Sequence, residues 1–339
     1  HRALHLSLRR QRQMCIRDSR KAMTLAPAYV WGLCCSKAGI PTFIVGPPAS
    51  GKSTIIEAVG RYLEAKGEAV YRVSRMAIRD LKHFSKEWSR AREVVVLNDD
   101  FSLIGSSDYV TERMAEIIAS LGYGGQYVYK GMDVEINVSR FGFLSGVQPY
   151  WVRHIHTHRA FSTHIREKCL RYYLLPFRET RPIRFREAVK LLVGNTREDR
   201  LRDVKVPESF MEALSLQVGP TRAEEYIERL SPWVGLYCGK YAKKVMDFWA
   251  KRLIFEDYII ERTVEKEGFE VKSYWQAYTV LYWVLRLGET TINNLCPFLG
   301  LKYHETRKLV MEAMKKRWVE WNTPHIRASE VVRRYLSWC

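Results

Sequence analysis

The stretch GPPASGKST, Gly46 to Thr54, constrains this chain more than any other. It fills the pattern G-x-x-x-x-G-K-[ST] with Gly46, Gly51, Lys52 and Ser53, between the β-rich run PTFIV and the helical run IIEAVGRYLEAKG. Glycine at 46 and 51 lets the backbone turn tightly and come close to an anion, so that consecutive N–H groups point inward at a helix N-terminus. Lys52 then brings a point charge to the β and γ phosphates of a nucleotide, and Ser53 a hydroxyl ligand for Mg²⁺. Gly46, Pro47, Pro48, Ala49, Ser50, Gly51, Lys52, Ser53 and Thr54 are the expected nucleotide-binding loop, with ATP and Mg²⁺ as cofactors. The alternative is a glycine-rich turn with no ligand.

A loop of this kind needs a sheet behind it. Thr42 to Val45 is the expected strand before it, Thr54 to Ala65 the helix after it, and Val70 to Val73 a second short strand. In EVVVLNDD, residues 93–100, consecutive apolar residues end in acids. A buried parallel strand delivers carboxylates to the carboxyl edge of an open α/β sheet in this way, and ligands bind at that edge. Asp99 is the expected Mg²⁺ partner and Asp100 the carboxylate that orients the attacking water, with Lys52 completing the catalytic set. Because Asn98 precedes the pair, the metal position can shift by one. The alternative is a turn capped by Asp. Upstream, Leu25 to Ala38 suits a helix that Gly39 stops. Downstream, Asp108 to Leu121 is an expected helix, GYGG a break, and Arg140 to Ser145 a further strand ending at a polar tip.

The 339 residues, 47% of them hydrophobic, have room for two or three cores. The formal charge of +18 points to a polyanion, nucleic acid before anionic membrane. No apolar run approaches the ~18 residues of a membrane span. The 7 cysteines form no C-x-x-C, so neither a zinc site nor a disulfide framework is expected, and a reducing cytoplasm is. Residues 1–22 stand apart: RRQRQMCIRDS resembles a translated sequencing-adapter sequence, the alternatives being a basic nucleic-acid arm or a transit peptide.

The order loop, acid-tipped strand, polar-tipped strand resembles the additional-strand P-loop ATPases, including AAA+ proteins such as replication initiators and helicase loaders. The resemblance covers residues 25 to about 180 and implies an α/β domain over 23–182, a parallel sheet flanked by helices. It also implies a polar residue after the next strand that senses the γ phosphate, for which Ser145 and Gln148 are the candidates. This chain has Asp100 where AAA+ proteins more often have Glu. No arginine aligns as a trans-acting finger; Arg153, Arg159, Arg166 and Arg171 are all expected in the following helical region, where any could reach the phosphate of a neighbouring copy assembled through the ATPase domain, although a place on the surface facing water is the default expectation for each. In HIHTHRAFSTH, residues 154–164, His154 and His158 have the spacing of metal ligands on one helix face, but nothing completes a set, so a basic helix is expected. RYYLLPF, residues 171–177, is expected to pack in the core.

Residues 183–268 begin as a charged linker and continue as an all-α lid or bundle, with breaks expected near Gly219-Pro220 and Ser231-Pro232. Residues 269–339 have their own logic. YWQAYTVLYWVLRLGE is an apolar helix, and TTINNLCPFLGLKYHETRKLVMEAMKKR has helix-turn-helix spacing with Gly300 at the turn. Leu295, Leu299, Leu301 and Leu309 then face inward with Cys296 at the crossing, while Lys302, Tyr303, His304, Arg307, Lys308 and Met311 face out. Asn294 as N-cap would place Pro297 in the first turn. With WVEWNTPHIRASEV as a wing, the segment resembles a winged helix domain, which implies duplex DNA contacts from Lys302, Tyr303, His304, Arg307 and Lys308. The alternative is a helical hairpin packed on the ATPase.

Together these features lead us to expect an ATP-hydrolysing, DNA-associated protein, such as a replication initiator, helicase loader or mobile-element maintenance ATPase. A nucleotide-regulated transcription factor with little turnover and a small-molecule or nucleotide kinase are the other classes.

Overall fold

The computed structural model describes residues 25–75, 80–101, 108–130, 133–149, 151, 162–175, 204–255 and 271–336. The histidines at 154 and 158, the arginines at 153 and 159, the charged linker and residues 1–22 lie outside them.

Five parallel strands form the central sheet: β1 (Thr42–Val45), β2 (Val70–Arg72), β3 (Glu93–Asn98), β6 (Arg140–Val147) and β7 (Leu170–Tyr173), in the spatial order β2-β3-β6-β1-β7. Strand β6 therefore lies between the strand before the loop and the strand before the acids. It runs to Val147, beyond the expected end at Ser145, and Gly142 and Gly146 explain how two neighbours approach it. A Cβ at Gly142 would lie 2.6 Å from Ser36 O of helix α1 (25–38), and one at Gly146 would lie 2.4 Å from Asp99 O.

Helix α1 is buried on nearly every side, because it is sandwiched between the sheet and the later helices. Its Trp31 donates to Thr42 Oγ1 at 3.0 Å on the sheet, and packs against Tyr172 at 5.7 Å and Trp249 at 5.1 Å. Helix α2 (Lys52–Ala65) follows the loop, and α3 (Leu81–Ala91) packs through Trp88 on Phe141. Helix α4 (Asp108–Gly124) runs through the expected GYGG break and stops at Gly125, φ +68°. Gly122 is there for packing: a Cβ would meet Pro41 Cγ at 2.2 Å. The next segment holds a second departure, an antiparallel hairpin of β4 (Gln126–Tyr129) and β5 (Val134–Asn137) where the sequence reading placed no element before the strand at Arg140.

The segment 204–255 is built on the β7 edge. Helices α5 (Glu208–Val218), α6 (Pro220–Cys238) and α7 (Ala242–Leu253) carry Gln217, whose amide accepts from Arg171 N at 2.9 Å and donates to Arg171 O at 2.8 Å. A side chain thus pairs the edge backbone as another strand would. Arg171 itself sits in β7, not in a helix. It is 2% exposed and donates to Cys169 O at 2.8 Å and Arg166 O at 3.0 Å, which corrects its candidacy as a finger and also its expected place on the surface. Tyr172, Tyr173, Leu174 and Leu175 are core, as expected. Gly219 separates α5 from α6 at φ +85°, but Pro232 does not break α6: the buried side chains of Leu230 and Val234 on either side hold the helix through it.

Helix α8 (Val271–Leu287) leads into α9 (Ile292–Leu299), α10 (Tyr303–Lys315), the hairpin β8 (Val319–Asn322) with β9 (His325–Ala328), and α11 (Glu330–Leu336). Thr290 and Ile326 exchange backbone hydrogen bonds at 2.9 and 2.7 Å, tying the hairpin back to the start of α9. Gly300 adopts φ +65° at the turn between α9 and α10. Leu295 is fully buried, and Leu299, Leu301 and Leu309 half-buried. The N-cap of α9 is Thr291, whose hydroxyl accepts from Asn294 N at 3.3 Å; Asn294 is inside the helix, so Pro297 lies beyond the first turn. Among the described residues no helix is long and apolar enough to cross a membrane.

Candidate functional site

The parallel register brings three strand ends to one level. Val45 pairs with Val147 on one side and Tyr173 on the other. Past them, Gly46 N donates to Val147 O at 3.1 Å and Leu174 N to Val45 O at 2.8 Å. The loop therefore rises from the middle of the sheet's carboxyl edge, where ligands of open α/β sheets lie. Its backbone uses the two conformations that glycine-like freedom permits: Ala49 at φ +58° and Gly51 at φ +100°. Gly51 is the N-cap of α2 and has no side chain to cap it, and the first turn holds no acid. The N–H groups that begin a helix of 14 residues are left facing the loop.

Lys52 folds back into this cradle. It is 9% exposed, and its Nζ donates to Gly46 O at 2.7 Å and Pro47 O at 3.0 Å. Burial pushes its ammonium down to about 8, while the charge of Asp100 works in the opposite direction. Ser50 is 1% exposed, and its hydroxyl finds no hydrogen-bond partner among the described residues. A Cβ at Gly46 would lie 2.6 Å from that hydroxyl, so glycine leaves room for it inside the loop. An unpaired buried hydroxyl and an ammonium held only by carbonyls both fit a bound phosphate. Gly46, Pro47 and Ser50 form the buried side of the loop; Pro48, Ala49, Ser53 and Thr54 are exposed, which leaves the Ser53 hydroxyl available to a metal ion.

The two acids lie in different surroundings. Asp99 is exposed, and its carbonyl lies against Gly146. Asp100 is the carboxylate whose charge acts on Lys52, and its Oδ2 accepts from Gln148 Nε2 at 3.3 Å. Asn98, the residue before the pair, is buried and joins three strands: Nδ2 donates to Val73 O at 2.6 Å, and Oδ1 accepts from Ser145 Oγ at 2.7 Å. The Ser145 hydroxyl is thus engaged within the sheet, whereas Gln148 stands beside Asp100. Lys52, Asp100 and Gln148 form one group, and Asp99 sits at its outer side. Gly146 belongs to the site as well, since a Cβ there would lie 3.3 Å from Lys52 Cβ; a lone glycine in a strand pattern was its only sequence signal.

Sequence patterns gave no hint of the group behind the loop. From α8, Tyr278 Oη donates to Leu174 O at 2.8 Å and Tyr282 Oη to Ser50 O at 3.3 Å, and Arg286 Nη1 donates to Ala49 O at 3.3 Å. In the C-terminal unit, Lys302, Tyr303, His304, Arg307, Lys308 and Met311 are all exposed around α10. Arg307 lies over the Trp321 ring of β8, 5.8 Å from its centroid. Glu305, also exposed, accepts from Lys302 N at 2.9 Å and caps the helix. Arg166 is exposed just before β7.

A cleft of about 660 Å³ opens elsewhere, bordered by Lys37, Glu93, Arg140, Arg229 and Trp233. Its cations are already engaged. Arg140 pairs with Glu68 and Glu93, Lys37 with Glu68, and Arg229 donates to the carbonyls of Ala38, Gly39 and Gly122. The chemistry gathers at the loop instead.

No protein-family model matches this chain, and no curated protein sequence matches it. Solved structures similar to it include NtrX from Brucella abortus in complex with ATP, 12% identical, with 86% of this chain and 68% of that one covered at a TM-score of 0.32. A second structure of NtrX from Brucella abortus is 14% identical, with 82% of this chain and 65% of that one covered at a TM-score of 0.29. The sheet and its flanking helices make this an α/β, NTPase-like fold on the strength of their own topology.

Proposed function

We propose that the chain binds and hydrolyses ATP as an additional-strand P-loop ATPase of the AAA+ type and carries that activity to duplex DNA through a C-terminal winged helix domain. The observation that carries the first half is the place of β6 between β1 and β3, which brings Lys52, Asp100 and Gln148 to one edge of the sheet. In this reading the loop N–H groups, Lys52 and the Ser50 hydroxyl hold the phosphates. Ser53 and the acid pair hold Mg²⁺, which would neutralise phosphate charge there. Asp100 orients the attacking water and Gln148 responds to the terminal phosphate.

The second half rests on the order α9, turn, α10, hairpin, and on the exposed face of Lys302, Arg307 and Lys308, with His304 beside them. Replication initiation, helicase loading and mobile-element maintenance would each use such a pairing. A nucleotide-controlled transcription factor with little turnover is the second reading, favoured by the engagement of Asp100 with Gln148. ATP hydrolysis by the full chain, measured alone and with single-stranded or duplex DNA, tests both. Turnover stimulated by duplex supports the first reading, duplex binding with negligible turnover supports the second, and no nucleotide binding refutes both.

A further inference from the structure

The three donors behind the loop occupy positions i, i+4 and i+8 of α8, one stripe of a single helix. Tyr278 satisfies the carbonyl just past β7, and Tyr282 and Arg286 satisfy consecutive loop carbonyls, those of Ser50 and Ala49. Lys52 holds two other carbonyls of the same loop, Gly46 and Pro47. The loop is thus gripped by Lys52 on one set of carbonyls and by α8 on another. A phosphate competes for Lys52 and must reset the first grip.

The outer grip continues into the C-terminal unit. The Arg286 guanidinium lies 4.9 Å from the ring centroid of Trp283, and Trp283 lies 4.7 Å from Phe298 of α9. Helix α8 also packs directly on α10 and β9. Burial holds the Tyr278 and Tyr282 phenols above their ordinary range, so both remain protonated donors at neutral pH.

We propose that α8 couples the phosphate loop to the helix-turn-helix unit through Tyr282 and Arg286, so that nucleotide occupancy and the placement of α9 and α10 bias each other. This coupling rests on the nucleotide reading above, and linkage makes it reciprocal: whatever stabilises one arrangement of α9 and α10 changes nucleotide affinity by the same factor. The test is hydrogen–deuterium exchange of the full chain with and without Mg·ATP, with ATP binding followed in parallel by calorimetry. Saturating ATP should change exchange across Ile292 to Lys315 by about five-fold, the worth of one neutral hydrogen bond. Tyr282→Phe and Arg286→Met keep the packing bulk and remove the donors. The double variant should still bind ATP, more weakly by a similar factor, and lose the exchange response. An unchanged exchange rate in the parent that binds ATP, or a full response in the double variant, overturns the coupling alone. A parent that binds no ATP overturns the nucleotide reading and the coupling together.

Discussion

If the loop holds nucleotide as proposed, the buried ammonium of Lys52 should make that binding depend on pH in a way that few other side chains would produce. Without ligand, burial lowers its pKa from 10.5 to about 8. Phosphates beside it favour the charged form and return it toward its ordinary range. Above about pH 8, therefore, binding must be accompanied by proton uptake, about half a proton near pH 8 and about 0.9 near pH 9, against about 0.1 near pH 7. Affinity should fall about ten-fold between pH 7 and pH 9, because the protein increasingly has to be protonated before it binds. Phosphate ionisation contributes little in this window, since its last pKa is about 6. The stability of the unliganded fold moves the other way. The folded pKa lies below the unfolded one, so the cost of a desolvated ammonium is present below about pH 8 and fades as pH rises toward 10.5. Calorimetric titration of Mg·ATP in two buffers of different ionisation enthalpy measures the uptake. Lys52→Arg is the control, because guanidinium does not titrate here, and it should remove the uptake where binding survives. Tight ATP binding near pH 9 with no proton uptake would refute the placement of Lys52 against phosphate.

Three further outcomes follow from the site and the C-terminal face. Asp100→Asn should keep ATP binding and lower turnover by about 10² or more, with Asp99→Asn milder; a lower single-turnover rate for Asp99→Asn than for Asp100→Asn would reverse their roles. Gly146→Ala puts a methyl group against Asp99 O, so thermal unfolding should show a loss of about 1–3 kcal/mol together with weaker ATP binding, and an unchanged melting temperature would contradict the packing described here. Arg307→Ala in the full chain should weaken duplex binding: a phosphate contact would reduce the salt slope by about 1 and affect all sequences alike, whereas a base contact would cost about 1–3 kcal/mol at one base position. Identical binding isotherms for parent and variant across salt would remove α10 from the interface.

Local patterns carried the loop, the helix α1, the strand of consecutive valines and the turn at Gly300, because in each the decisive interaction lies within a few residues. They failed where the partner is distant. Gly122 looks like a helix breaker but is a contact point for Pro41, so α4 continues. Pro232 looks like a stop but is carried by flanking core residues. The hairpin β4–β5 is only a few residues a side and was hidden by its Gly-rich approach. Arg171 reads as a surface charge until the carbonyls of Ile165, Arg166 and Cys169 surround it. At the site, Gln148 meets Asp100, and no spacing along the chain encodes that contact. The aromatic run of α8 was legible as apolar, but the destinations of its hydroxyls lie far upstream, 104 residues away for Tyr278 and 232 for Tyr282.

That distant contact decides how far the two halves of the chain are separable. Tyr278 and Tyr282 are buried with their hydroxyls on the carbonyls of Leu174 and Ser50, and Ala277, Val280, Leu281 and Val284 are buried on the same helix. Helix α8 is also the wall on which α9, α10 and β9 rest. Cutting the chain before residue 271 would leave those apolar surfaces exposed in the fragment, at about 25 cal/mol for each Å². The cut would also strip the loop carbonyl of Ser50 of its donor Tyr282, and a buried carbonyl left unpaired costs about 1–3 kcal/mol. Neither half keeps its surroundings when the other is removed. The last helix-turn-helix unit is thus not a module tethered to the α/β domain but a unit built on a helix that the loop at Gly46 to Thr54 shares. Whatever α10 touches is felt first by the wall it shares with the loop at Gly46 to Thr54, so the proposed DNA binding should be a property of the whole chain and not of its last seventy or so residues.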